Sequence, residues 1–311
     1  MNEMSKFQRS WLLFRSSLSI IARNKQLLVF PVVIFSLTIV IVLFFLAPAV
    51  LRPTGYSYTQ AQHWQAISHS LFSESPVAGA EGKEQINVTP GAAAYLVFLY
   101  FVSMFFATYF NVAFYHEILA ALSGQPVSIG RGLNFARTRL KAILMWTLFA
   151  GLVGLIIKAI EERLDFVGRL VARLIGLTWS IASVFVIPLM VREEQDASPV
   201  NLLKKSAGIL KRTWGEALIG YIGLAFANTL IAVGSLVLLA GAFFASMALE
   251  NYWLIAIVGA LWLVAIFAWA YLMSVAGQIY KGALYLYAAE GIVPDPYSRE
   301  LLDMAWKFKK S

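Results

Sequence analysis

No cysteine occurs in the 311 residues. That removes disulfides, thiolate metal sites, iron–sulfur clusters and Cys nucleophiles, and leaves the cellular compartment open. Charge is nearly as scarce. Asp, Glu, Lys and Arg make up 14% of the chain, where a soluble domain carries roughly 25%. Apolar residues reach 59%, and the mean hydropathy is +0.71. So few charges do not coat a water-facing surface, and the chain reads as an all-α polytopic membrane protein. Histidine is rare too. His63 and His69 lie in one polar loop without a third ligand, so no metal site is expected. There is no Walker loop, dinucleotide fingerprint, HExxH or GxSxG. No catalytic residue and no cofactor are therefore expected, and the chain reads as non-enzymatic.

What the chain has is long apolar runs. Six are expected to cross a bilayer, over about 26–51, 93–122, 141–160, 170–191, 217–248 and 253–289. A signal peptide is the rival reading of the first, since Ala47-Pro48-Ala49 supplies a cleavage-like triplet. The run is about twice an h-region of about 7–15 residues, however, and a retained helix is expected. The last run would extend about 55 Å as one helix against a hydrocarbon core of roughly 30 Å, so it must tilt, project or break. Residues 52–92 form the longest polar stretch, rich in Pro and Gly, with a short helix expected at Gln60–Leu71. Asn87-Val88-Thr89 matches a glycosylation sequon, which matters only in a eukaryotic secretory setting.

Charge placement orients the chain. Nineteen of the 25 Lys and Arg fall on the side holding both termini: residues 1–25, 131–141, 192–212 and 281–310. Arg52, Lys83, Lys158, Arg163, Arg169 and Arg173 fall on the other. The positive-inside rule then puts both termini in the cytoplasm of a multi-pass protein of the inner membrane. A net charge of +8 spread this way serves insertion, and no nucleic-acid partner is expected.

Ser198–Tyr221 organises the rest. Ser198 can cap a helix whose first residue is Pro199. On a helical wheel Lys204, Lys205, Lys211 and Arg212 gather on one side; Leu203, Ala207, Leu210 and Trp214 gather on another. That pattern suits a helix half sunk among lipid headgroups before it turns into a crossing helix. Residues 1–25 repeat it, with Phe7, Trp11, Phe14, Leu18 and Ile21 on the apolar side. Three segments align on Arg23, Arg137 and Arg212, followed by Asn24, Thr138 and Thr213, and each enters an apolar run about four residues later. The chain thus reads as three hairpin repeats, each opened by a basic surface helix, with a fourth such helix in the tail at 294–311.

VIPLMVREEQDASPVNLLKKSAGILKRTWGEALIGYIG resembles a stretch in uncharacterised bacterial six-helix membrane proteins, similar to the YciC-like family and to the membrane domain appended to some glycerophosphodiester phosphodiesterases. The shared features are Pro188, Glu193-Glu194, Lys205-Ser206 and Trp214-Gly215. The resemblance implies a six-span fold. It carries over no catalytic residue, and no phosphodiesterase domain is present here.

Two functions compete. In the first, the basic helices hold anionic lipid or a partner protein, through Lys204, Lys205, Lys211, Arg212, Arg23 and Arg137. The partner would be another membrane protein or a second copy of the chain. In the second, the protein is a transporter or channel for a small solute or lipid, with a path between hairpins near Asn111, His116, Glu117, Asn228 and Gln278. Glu117 is also expected to pair with Arg131, Arg137 or Arg139, and Lys158 with Glu161 or Glu162.

The chain carries no thiol of its own, so the orientation is directly testable. Thr59→Cys and Ser311→Cys should be labelled by an impermeant maleimide from opposite sides of the membrane; labelling of both from one side refutes the topology.

Overall fold

The computed structural model describes residues 6–76, 84–193, 196–213 and 217–305, with side chains at 6–10, 49, 73–87, 166, 212–232 and 303–305 outside the description. Twelve α-helices are described: α1 (Lys6–Arg23), α2 (Val29–Val50), α3 (Ala61–Leu71), α4 (Pro90–Leu122), α5 (Ile129–Thr138), α6 (Leu140–Arg163), α7 (Phe166–Ala182), α8 (Val186–Arg192), α9 (Pro199–Thr213), α10 (Ala217–Ala248), α11 (Tyr252–Tyr285) and α12 (Arg299–Ala305). Among the described residues five stretches are long and apolar enough to cross a membrane: Lys25–Pro48, Pro90–Leu122, Leu140–Arg163, Val167–Arg192 and Tyr252–Glu290. Within α10, the expected fifth of six spans, the fully described part is the shorter apolar helix Val233–Ala248. These helices are compatible with a multi-pass membrane protein.

The chain forms two compact units. One comprises Pro31–Asn111 and Arg139–Gly176. In it α6 approaches α4 where side chains are missing. A Cβ on Gly151 would lie 2.5 Å from the Phe101 ring, and one on Gly154 3.1 Å from the Tyr100 hydroxyl. Three residues apart, the two glycines share a helix face and let the backbones close up. The Tyr95 hydroxyl donates to the Phe45 carbonyl. Lys158 meets Glu162 at 3.9 Å, four residues on, while Glu161 takes Arg173 at 2.8 Å.

The polar loop belongs to the same unit. Its helix α3 matches the expectation to within a residue. A two-stranded antiparallel hairpin follows, β1 (Phe72–Pro76) on β2 (Glu84–Val88), with Phe72 opposite Val88. It was not anticipated, because Phe72–Pro76 shows no alternation of apolar and polar residues and the alternation in Gln85–Val88 is only four residues long. His63 is a buried staple here. Its Nδ1 shares a 2.6 Å hydrogen bond with the Thr54 hydroxyl, and its Nε2 lies 3.2 Å from the Val50 carbonyl. The second contact requires Nε2–H, so Nδ1 accepts from Thr54 in the neutral ring.

The other unit comprises Met1–Phe30, Val112–Thr138 and Leu177–Ser311. Helix α1 packs on α10, α11 and α12. The ring of Phe30 stacks on Phe114 at 5.3 Å. A Cβ on Gly282 would sit 2.8 Å from Ile118, which marks the close approach of α11 to α4. The excess length of the last span is resolved by this packing. Up to Ser274, α11 shows no fully buried residue, whereas most of Val275–Tyr287 is buried. The remaining 23 residues make roughly 34 Å of helix, close to a bilayer core. The helix projects, and its surplus is covered by protein. A five-residue π-turn, Leu286–Glu290, then ends at Gly291, whose φ of +71° suits a residue without Cβ.

The expected span at 170–191 is interrupted. Helix α7 stops at Ala182 and α8 starts at Val186. Pro188 explains the break, since it has no N–H to offer the carbonyl of Val184 and its ring crowds that carbonyl. Within the break the N–H of Phe185 donates to the Ser206 hydroxyl of α9 at 3.1 Å, and Ser206 is fully buried. The interruption thus leaves a backbone amide that fastens a neighbouring helix. Ser206→Ala should leave that amide unsatisfied and destabilise the protein by about 1–3 kcal/mol. Unfolding in detergent micelles measures the loss; Ser206→Thr, which keeps the hydroxyl, should recover most of it.

Candidate functional site

The most deeply buried acid described is Glu117, with no side-chain exposure, near the end of α4. Gly124, at φ +75°, helps reverse the chain after α4, and α5 begins at Ile129. The reversal brings the first turn of α5 onto the carboxylate. Arg131 donates Nε to Oε1 at 2.9 Å and Nη2 to Oε2 at 2.6 Å. The backbone N–H of Ser128 donates to Oε2 at 2.7 Å, and His116 Nδ1 meets Oε1 at 2.9 Å. His116 is held in turn by stacking on Phe135 at 4.2 Å. A carboxylate offers about four acceptor positions, and here all are filled. Hydrogen bonding to Glu117 raises Arg131 above the ordinary guanidinium value.

This arrangement caps a helix across the fold. Ser128 precedes α5, and its hydroxyl accepts from the Arg131 N–H at 3.4 Å. In a capping box an acid on the helix's own first turn would receive the N-cap N–H. Here Glu117 does so from another helix, beside the positive end of the α5 dipole. The approach is close. A Cβ on Gly132 would lie 2.8 Å from the Ala113 carbonyl oxygen and 2.9 Å from Glu117 Cγ.

Of the expected intramembrane path, the structure brings His116 and Glu117 together with Arg131. Gln278 on α11 accepts from the Tyr115 hydroxyl at 2.6 Å. Asn111 is half-buried and falls in the other compact unit. The side chain of Asn228 lies outside the described residues, as do those of Arg212 and Trp214.

The expected lipid contacts divide into two sets. Lys205 pairs with Glu193, and Arg23 meets Asp295 at 3.0 Å. Lys204, Lys211 and Arg137 are exposed and paired with no acid among the described residues. Two further ties were not foreseen. Arg192 of α8 meets Glu290 at 3.1 Å, and the Ser17 hydroxyl meets the Tyr297 hydroxyl at 2.7 Å. Serine on the apolar side of a basic helix was the available signal, in both Ser17 and Ser206. No group of three or more His, Asp or Glu able to hold a metal is present among the described residues.

Residues 92–294 match one known family. The chain belongs to the family of unknown function DUF6159. The matched region includes Glu117, Arg131, Ser206, Gln278 and Glu290. No curated protein matches the chain, and no solved structure does.

Removing one partner of the Glu117 cluster should be costly, because it leaves a charge buried without compensation. Arg131→Ala, which leaves the fully buried Glu117 carboxylate without its guanidinium, is expected to lose about 3–5 kcal/mol, and Glu117→Ala the low end of that range because the Arg131 it leaves behind is part-exposed. Chemical unfolding in micelles should also show the double variant costing less than the two single losses together. Additive losses would mean that the contact contributes little.

Proposed function

We propose that this is a non-enzymatic, six-span protein of the bacterial cytoplasmic membrane, with both termini cytoplasmic, whose basic surface helices hold anionic lipid headgroups. The observation that carries the reading is the division of α9. Leu202 and Ser206 face the protein interior, while Lys204 and Lys211 are exposed. Arg137 stands exposed at the end of α5, opposite the buried Gly132 and Ala136. Each of these helices gives way to a long apolar one within a few residues. Cations on a helix so placed lie at headgroup depth, where each is worth about 1 kcal/mol toward an anionic leaflet. The resemblance to six-helix bacterial membrane proteins agrees with this topology. Lys205 and Arg23 act here as internal fasteners, and Lys204, Lys211 and Arg137 as the lipid contacts.

The purified protein in neutral detergent should gain thermal stability on adding phosphatidylglycerol and little on adding phosphatidylcholine. Lys204→Gln, Lys211→Gln and Arg137→Gln together should raise the phosphatidylglycerol concentration needed by up to about a hundredfold, the sum of three such contacts. An unchanged response sinks the lipid reading.

A further inference from the structure

Aligning the three basic helices on Arg23, Arg137 and Arg212 puts Ser17, Arg131 and Ser206 at one position, six residues earlier. Each makes a polar tie to chain lying outside its own helix. Arg131 binds Glu117 at the end of α4. Ser206 accepts from Phe185 at the start of α8. Ser17 meets Tyr297, just after the end of α11. One turn earlier, Leu13, Val127 and Leu202 also align, and all three are buried. For α5 and α9 the tie reaches back to a span that precedes the helix in the chain. For α1 the tie reaches the segment after the last span.

We propose that residues 292–298 act as a strap that fastens α1 into the place its two counterparts occupy, closing the array end to end, and that α1 is the member that opens first. Among the described residues the strap holds by two polar bonds. The Ser17 hydroxyl donates to the Leu13 carbonyl at 3.1 Å, which leaves its oxygen to accept from Tyr297. Burial pushes the Tyr297 phenol above its ordinary value, so the phenol keeps its proton and donates. The second bond, Arg23 to Asp295, joins side chains that are 65% and 80% exposed; water and salt weaken such a pair. By contrast α5 is held by a fully buried carboxylate with every acceptor position filled, and α9 by a buried hydroxyl on a backbone amide together with the Lys205–Glu193 pair. The α1 strap is therefore the weakest of three equivalent fastenings. Its release would uncover Leu13, Phe14, Ile20 and Ile21, all buried in the closed form.

The test uses the full-length protein in neutral detergent, without anionic lipid, so that its outcome does not depend on the lipid reading. A single cysteine replaces Leu13 in one protein and Leu202 in another (Leu13→Cys, Leu202→Cys), and maleimide labelling is timed in each. With Tyr297→Phe added, labelling at position 13 should speed up about five- to tenfold, the factor for one net hydrogen bond, while labelling at position 202 stays unchanged. Ser17→Ala should act like Tyr297→Phe, and combining them should add nothing. An unchanged rate at position 13 overturns the strap. Equal acceleration at both positions overturns the independent opening of α1.

Discussion

A carboxylate withdrawn from water has to have its lone pairs occupied, or the fold loses several kcal/mol. Glu117 meets that demand with a guanidinium, a backbone amide and an imidazole. Three of those four bonds come from Ser128 and Arg131, on the first turn of α5 and the residue before it. The demand therefore fixes where α5 starts and brings its backbone within reach of Ala113 at Gly132. The saturation of the Glu117 oxygens also bears on chemistry. A carboxylate with no acceptor position to spare is a structural anchor, poorly placed to take a proton from a substrate.

The same economy governs the other joints. The break ahead of Pro188 leaves the Phe185 amide in need of an acceptor, and Ser206 takes it up. Arg192, at the end of α8, reaches Glu290 in the turn after α11. Water is excluded around apolar helices, and polar groups there need partners within the chain. Sparse charge in the composition and dense pairing in the fold are two faces of that requirement.

The hydrophobic runs and the one-sided distribution of Lys and Arg are cumulative signals, spread over twenty or more residues each. For that reason five of the six expected apolar runs could be placed from the sequence to within a few residues of helices long enough to cross a membrane. The interruption at Ser183–Phe185 was missed, although Pro188 was in view, because a proline late in an apolar run also suits a helix end. Glu117 could be recognised as a residue in need of a base. Which of Arg131, Arg137 and Arg139 would supply it depended on how the chain reverses after Leu122, and that is a matter of turn geometry. Ser17 and Ser206 stood on the apolar side of basic helices, and nothing in the sequence named their partners. A buried serine on a basic helix looks the same in sequence whether or not an amide or a phenol faces it.

Length supplies the remaining argument. Helices α4 and α11 run 33 and 34 residues, beyond what a bilayer core needs. In both, full burial begins in earnest only near one end, at Val112 in α4 and Val275 in α11. Glu117 and Gln278 lie inside those covered segments, past the membrane-length portions. Their polarity thus costs far less than it would in lipid, because protein supplies the partners. The surplus turns of two spans build the protein-lined floor on which the surface helices are tied. Placed there, a polar residue orders a protein scaffold; at mid-membrane the same residue would mark a path for solutes.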